Sequence, residues 1–308
     1  MSRTPSAAGL WSIIASRAQA VRRPVAADYF ELTKPKIVLL ELVTVVVAAH
    51  LASPSGVAPW ILLHTVVGAA LVAASAGAMN QWWERASDAR MSRTAGRPLP
   101  AGRLSPYQVV RFGCFTLFAG AAELLLFVNG KTAAVAFATW FIYIFAYTPL
   151  KSRSPLNTAV GAISGALPIL IGWTAVGAPL GIQAFALMAV IFLWQFPHFM
   201  AIAWLYRDEY ALAGQKMLTV VDPTGLRAGA QAVVGALALL PVSLVPALSP
   251  LAGSPGVYCA WTAVLAVGLI AAAVLFLLRR DDRSARLLLR ASLVYLVCWM
   301  GLLLIVAV

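Results

Sequence analysis

The sequence predicts an all-α bundle that crosses a membrane about nine times, and three observations carry that expectation. The apolar residues come in long blocks, the basic residues fall almost wholly in alternate gaps, and the chemically capable polar residues collect in those same gaps. Of 308 residues, 61% are hydrophobic and only 11% charged, and the mean hydropathy is +0.86. A soluble domain runs nearer half apolar and roughly a quarter charged. Each block is about as long as a helix must be to cross ~30 Å of hydrocarbon. Lipid cannot hydrogen-bond a bare backbone, so only helices or closed barrels span it. The blocks lack the period-two alternation of barrel strands.

In chain order the expected spans are 37–51, 60–79, 107–128, 133–147, 158–176, 182–205, 228–248, 257–278 and 291–308. The first and fourth are short. In the fifth, Gly161, Gly165, Pro168 and Gly172 permit close helix packing or a kink. In the sixth, Pro197 is expected to break the helix. The odd gaps are short and nearly uncharged, as simple turns would be. The second gap, 80–106, is the longest, and it shares with the sixth, 206–227, an opening of acids and aromatics and a close of basic residues. Four helices separate the two, which is compatible with two related halves.

The formal net charge of +12 could mark a nucleic-acid binder, but its distribution excludes that reading. Arg3, Arg17, Arg22, Arg23, Lys34 and Lys36 precede or open the first span. Arg85 to Arg111, Lys151 and Arg153, Arg207 to Arg227, and Arg279 to Arg290 occupy the even gaps, while Lys131 alone lies opposite. The positive-inside rule then puts the N-terminus in the cytoplasm and the C-terminus outside. The surplus charge is topology plus attraction to anionic lipid. Cys114, Cys259 and Cys298 lack metal-ligand spacing and read as small buried hydrophobes. Residues 1–27 are polar and mildly basic without an apolar core, so they read as a flexible cytosolic extension before a single membrane domain, 28–308.

The strongest chemical signal is Asn80-Gln-Trp-Trp-Glu84-Arg-Ala-Ser-Asp88. Residues at i, i+4 and i+8 share one helix face over about 12 Å, so three oxygen-bearing side chains line up at the end of the second span. Hard cations such as Mg²⁺ take oxygen ligands and bridge carboxylates to substrate phosphates. The plain alternative is a solvated helix end. Against it, a polar line at a membrane helix end is costly unless it faces the bundle interior. It is also followed at once by Arg90, Arg93, Arg97 and Arg103, and arginine takes phosphate oxygens bidentately.

A second group joins Trp194-Gln-Phe-Pro-His198-Phe to Arg207-Asp208-Glu209 and Lys216. There Asp208 and Glu209 could hold a second metal, and Arg207 and Lys216 phosphate. Interfacial aromatics with snorkelling charges explain the same residues. A third group, Tyr147-Thr-Pro-Leu-Lys151-Ser-Arg153, could clamp a diphosphate, although topology alone accounts for its cations. Metal plus diphosphate in a membrane means an activated lipid. Cations stabilise the departing oxygens, and a dry bundle shields a carbocation from water.

At these residues the chain resembles the UbiA superfamily of membrane prenyltransferases, nearest its haem branch, from about Asp28 to Val308. The resemblance lies in Leu32-Thr-Lys34-Pro-Lys36, in Asn80 through Asp88 followed by Met91-Ser-Arg93-Thr94 and Arg97-Pro-Leu-Pro100, in Tyr147-Thr-Pro-Leu-Lys151, in Gly161, Gly165 and Pro168, and in Gln195-Phe-Pro-His198-Phe with Tyr206-Arg-Asp208-Glu209-Tyr210. It implies a UbiA-like fold and transfer of a farnesyl group from farnesyl diphosphate to a vinyl group of haem B, with addition of water, giving haem O. It further implies that Asn80, Glu84 and Asp88 hold Mg²⁺ and diphosphate, that Arg93, Arg97, Lys151 and Arg153 steady the phosphates, and that Asp208 matches a second acidic motif. His198 sits where the haem branch has a characteristic histidine, and the implied pathway includes a haem A synthase as a partner. Glu84 stands where many relatives carry Asp, and Ala86 where they often carry another acid. A quinone-precursor acceptor is the near alternative; a transporter is the alternative of another class. A haem acceptor predicts a porphyrin-sized pocket with a histidine near it. Glu123, inside the third span, is expected to pair with a polar neighbour, and Glu41 to snorkel.

Overall fold

The computed structural model describes residues 25–248 and 254–306. Most of the expected N-terminal extension, 1–24, lies outside the described residues, as do 249–253 of the seventh gap. No strand occurs among the described residues, and nine helical spans are long and apolar enough to cross a membrane. A short α1 (Val25–Leu32) leads into α2 (Pro35–Ala52), α3 (Pro59–Asp88), α4 (Pro106–Phe127) and α5 (Gly130–Leu150). Then come α6 (Asn157–Ala166) and α7 (Pro168–Ala175), which form one interrupted span, and α8 (Ile182–Leu205). Two short helices follow, α9 (Arg207–Leu212) and α10 (Leu218–Val221), and then α11 (Leu226–Leu244), α12 (Pro255–Arg279) and α13 (Asp282–Val306).

Local chemistry sets most boundaries. Ser105 caps α4 through a reciprocal bond with Gln108, and Pro106 opens the helix. Asn129 caps α5 by accepting from the Thr132 N–H at 2.9 Å, so this span is longer than 133–147. The last span starts at Asp282 rather than 291, because Asp281 Oδ1 accepts from the Ser284 N–H at 2.7 Å and starts the helix among its arginines. The cysteines differ from expectation. Cys114 and Cys298 are exposed on outward helix faces and Cys259 is half-buried, so the protein itself does not bury the first two.

Pro197 does not break α8, which runs unbroken to Leu205. A proline forfeits the bond to the carbonyl four residues back, here Leu193. Gly235 of α11 packs against this turn so closely that a Cβ there would lie 3.2 Å from Pro197 Cδ. Helix packing therefore holds the turn in place. Pro168 does divide the fifth span. The small residues of that span act as expected. A Cβ on Gly161 would lie 2.6 Å from the Tyr147 ring, and one on Gly172 would lie 2.0 Å from the Val45 carbonyl oxygen. The two helix pairs α5–α6 and α2–α7 can approach this closely only without a side chain there.

The even gaps meet at one end of the bundle. Arg90 Nη2 donates to the Ala213 carbonyl at 2.7 Å, Ser92 Oγ to Glu209 Oε1 at 3.1 Å, and the Lys216 N–H to the Lys151 carbonyl at 2.6 Å. At the other end Asn129 Nδ2 donates to the Thr174 carbonyl at 2.9 Å.

Gly172→Ala should lower stability by about 1–3 kcal/mol, because its Cβ meets backbone that cannot yield without parting α2 from α7. Gly181→Ala, with nothing within 4 Å of the new atom, should stay near the parent. Thermal unfolding of both variants in detergent checks the difference.

Candidate active site

The three oxygens expected to line up on α3 do so inside the protein. Asn80 and Asp88 are fully buried and Glu84 nearly so. Each meets a different cation from a different segment. Lys34 Nζ donates to Asn80 Oδ1 at 2.5 Å, Lys151 Nζ lies 2.8 Å from Glu84 Oε1, and Arg97 Nη1 lies 2.6 Å from Asp88 Oδ2. The result is a ladder of three rungs along the last two turns of α3.

Each cation is held by local structure. Lys34 sits between α1 and α2 in the left-handed region, with φ at 53°, where only a few per cent of non-glycine residues lie. Pro35 follows it, and proline discourages the right-handed helical region in its predecessor. That single reversed residue turns α2 away from α1. The junction is pinned to α3 by Gln81 Nε2, which donates to the Leu32 carbonyl at 3.1 Å. Arg103 clamps α1 through Asp28 at 2.7 Å and Glu31 at 2.8 Å.

Lys151 follows a π-helical stretch, Ile142–Tyr147. Pro149 explains that stretch, since its ring would collide with the Phe145 carbonyl in a regular helix. The widened turn lets Thr148 Oγ1 donate to the Tyr143 carbonyl at 2.8 Å and accept from Asn80 Nδ2 at 3.1 Å. Arg97 is carried by the loop after α3, where Thr94 Oγ1 donates to the Asp88 carbonyl at 2.8 Å.

Burial and the nearby Arg97 and Lys151 lower the Lys34 ammonium to about 7. Burial would lower Lys151 too, but the Glu84 carboxylate outweighs it and holds that ammonium above its ordinary range.

Beneath the ladder a narrow cavity of about 70 Å³ opens among α2, α3, α5, α6 and α7, with Lys34 at its upper wall. The wall is mostly apolar, with Tyr143 and Trp140 from α5 and Glu41 from α2 as its larger polar members. Glu41 therefore faces the cavity and does not snorkel.

A family model described as the UbiA prenyltransferase family matches residues 42–299. The chain belongs to the UbiA prenyltransferase family. It is 41% identical over 288 residues to a protoheme IX farnesyltransferase from Solibacter usitatus, covering 90% of this chain and 98% of that one. Among solved structures, a digeranylgeranylglyceryl phosphate synthase superposes with a TM-score of 0.73 at 16% identity, covering 92% of this chain and 98% of that one. A UbiA homologue from Archaeoglobus fulgidus bound to DMAPP and Mg²⁺ superposes at 0.60 with 17% identity, covering 91% and 99%. At such identities these two bear on the fold alone, and they agree with the helical bundle.

In this UbiA chain the other expected site residues are distributed unevenly. Arg93 Nη2 donates to the Tyr210 hydroxyl at 3.0 Å, and its guanidinium stacks 4.8 Å from the Tyr206 ring. Arg153 and Lys216 are exposed on loops beside Lys151. Arg207 points elsewhere, bonding Asp282 at 3.0 Å and stacking on Trp204. Asp208 is exposed on the first turn of α9, and no hydrogen bond or ion pair joins it to the ladder among the described residues. The acid that the sixth gap brings to the second is Glu209, which accepts from Ser92. His198 stacks on Trp194 at 4.6 Å and its Nδ1 lies 3.0 Å from Ser292 Oγ of α13, so it is not part of the cavity wall. Sequence reasoning missed Lys34 and Thr148 as site residues. Both were visible in quoted motifs, but Lys34 was counted as a topology charge.

The donor set suits a hard cation. All three groups offer oxygen, and Asp88 Oδ1 is buried without a hydrogen-bond partner among the described residues. No three acids, histidines or cysteines gather closely enough there to hold a metal by themselves. Mg²⁺ commonly takes one or two protein carboxylates and completes its sphere with water and phosphate oxygens.

Glu123 pairs with a polar neighbour as expected: His64 Nδ1 lies 2.7 Å from its Oε1, far along α4 from the ladder. Glu123→Ala should therefore leave turnover near normal, a point checked by steady-state kinetics. Glu84→Gln should destabilise by stranding Lys151, and adding Lys151→Met should recover part of the loss. The coupling in a double-mutant cycle of unfolding should be about 1–3 kcal/mol.

Proposed function

We propose that this chain transfers the farnesyl group of farnesyl diphosphate to a vinyl group of haem B, forming haem O. The observation that carries the reading is the buried ladder of α3 oxygens and paired cations, set at the mouth of an apolar cavity. The similarity to a protoheme IX farnesyltransferase supports the choice of donor and acceptor. The ladder end, where the basic gaps meet, faces the cytoplasm by the positive-inside rule, with the N-terminus inside and the C-terminus outside. A haem A synthase would be the natural consumer of the product.

Asn80, Glu84 and Asp88 would hold Mg²⁺, which when bound neutralises the diphosphate and eases loss of the leaving group. Lys34, Lys151 and Arg97 already stand at the same oxygens. A diphosphate offers them phosphate oxygens in place of one amide and two carboxylates, and charge-assisted bonds of that kind are short and strong. They stabilise negative charge as the C–O bond breaks. Arg93, backed by Tyr206 and Tyr210, and Arg153 and Lys216 beside Lys151 add positive potential at the entrance. The apolar cavity takes the isoprenoid chain and keeps bulk water from the allylic cation. The exposed Asp208 is outside this reading of the metal line.

Membranes holding the chain, given haem B, farnesyl diphosphate and Mg²⁺, should yield haem O by mass. Chelating the metal should stop the reaction. Asn80→Ala and Asp88→Ala should each lower turnover about a hundredfold or more while leaving membrane insertion intact. Full activity in both variants would overturn the site.

A further inference from the structure

The cavity contains one acid that the ladder does not use. Glu41 lies seven residues beyond Lys34, on the face of α2 that also presents Val38 and Val45 to the cavity. Seven residues are two helical turns, so Glu41 stands about 10 Å below the level of Lys34. It is half-buried. Among the described residues no hydrogen bond or ion pair reaches its carboxyl. An acid inside a membrane span is costly when it has no partner and usually marks a working site. This one opens into the cavity that Lys34 also lines, where the isoprenoid would lie.

The proposed reaction has an unassigned step at that place. The C–O bond of farnesyl diphosphate breaks and pyrophosphate keeps the electron pair. The terminal vinyl carbon of haem bonds to farnesyl C1, leaving a cation on the inner vinyl carbon beside the porphyrin. Water then bonds to that carbon through oxygen, and one proton must leave the oxygen. The balance is haem B, farnesyl diphosphate and water giving haem O, pyrophosphate and a proton. The acceptor for the water's proton is either the departing pyrophosphate at the ladder or a group that lines the cavity.

We propose that Glu41 is the catalytic residue that takes this proton as the water oxygen bonds to the cation. The assignment rests on the farnesyl-transfer reading above. Without the carboxylate the cation has another exit: it sheds a proton from the adjacent CH₂ and becomes an alkene, a product lighter than haem O by one water.

The test uses the full chain in detergent with haem B, farnesyl diphosphate and Mg²⁺, reading product mass and pyrophosphate release together. In Glu41→Gln, haem O formation should fall about a hundredfold, the usual contribution of a general base. The KM for farnesyl diphosphate should hold and the dehydrated product should appear. Glu41→Asp keeps a carboxylate and should restore part of the haem O, which guards against reading a folding defect as a catalytic one. Haem O formed at the parent rate by Glu41→Gln would overturn the proposal and leave the farnesyl reading standing. A parent chain that releases no pyrophosphate and makes no haem O would overturn both.

Discussion

Everything at the working end of this bundle depends on three buried side-chain oxygens of α3, one amide and two carboxylates, finding partners away from water. Asn80, Glu84 and Asp88 are all but sealed from solvent, and an unpaired buried carboxylate is among the costliest things a fold can contain. The protein meets that cost with three cations drawn from three separate segments. Lys34 comes from the α1–α2 junction, Arg97 from the loop after α3 and Lys151 from the end of α5. Each pair closes one piece of the bundle onto α3, so the contacts proposed to receive a diphosphate also hold this end of the bundle together.

That arrangement requires irregular backbone, and each irregularity has a visible cause. Lys34 reverses its φ ahead of Pro35. Pro149 forces the π-helical stretch that carries Thr148 to Asn80. Gly161 makes room for Tyr147, whose ring lies 4.6 Å from Lys151 Nζ. Such departures cost free energy and persist where surrounding packing fixes them, which is why they cluster at functional sites. The opposite end, by contrast, is made of short turns and small polar pairs such as Asn129 with Thr174.

Much of this was legible in the chain. Hydropathy gave the spans, because lipid imposes one answer on any backbone that enters it. The i, i+4, i+8 spacing gave the α3 line, because a helix puts those positions on one face whatever surrounds it. Less legible were the partners. Lys34 looked like one more cytoplasmic charge, and the acidic motif did not say which of Asp208 and Glu209 meets the second gap. Motif membership places a residue in a gap but does not say which way its side chain faces. Glu209, one residue on, is the acid that meets the second gap. Pro197 looked like a helix break, yet α11 packs Gly235 against the freed turn and α8 continues.

By itself, then, the sequence determined the class of fold, the end at which chemistry collects and the row of oxygens on α3. Those follow from rules that act within a single helix or between a helix and lipid. Only the tertiary structure decided which cation meets which oxygen, that His198 turns toward α13, and that Glu41 opens into the cavity. Those outcomes depend on how separate helices rotate against one another. The rotation is set by packing among small residues tens of positions apart, which no local spacing encodes.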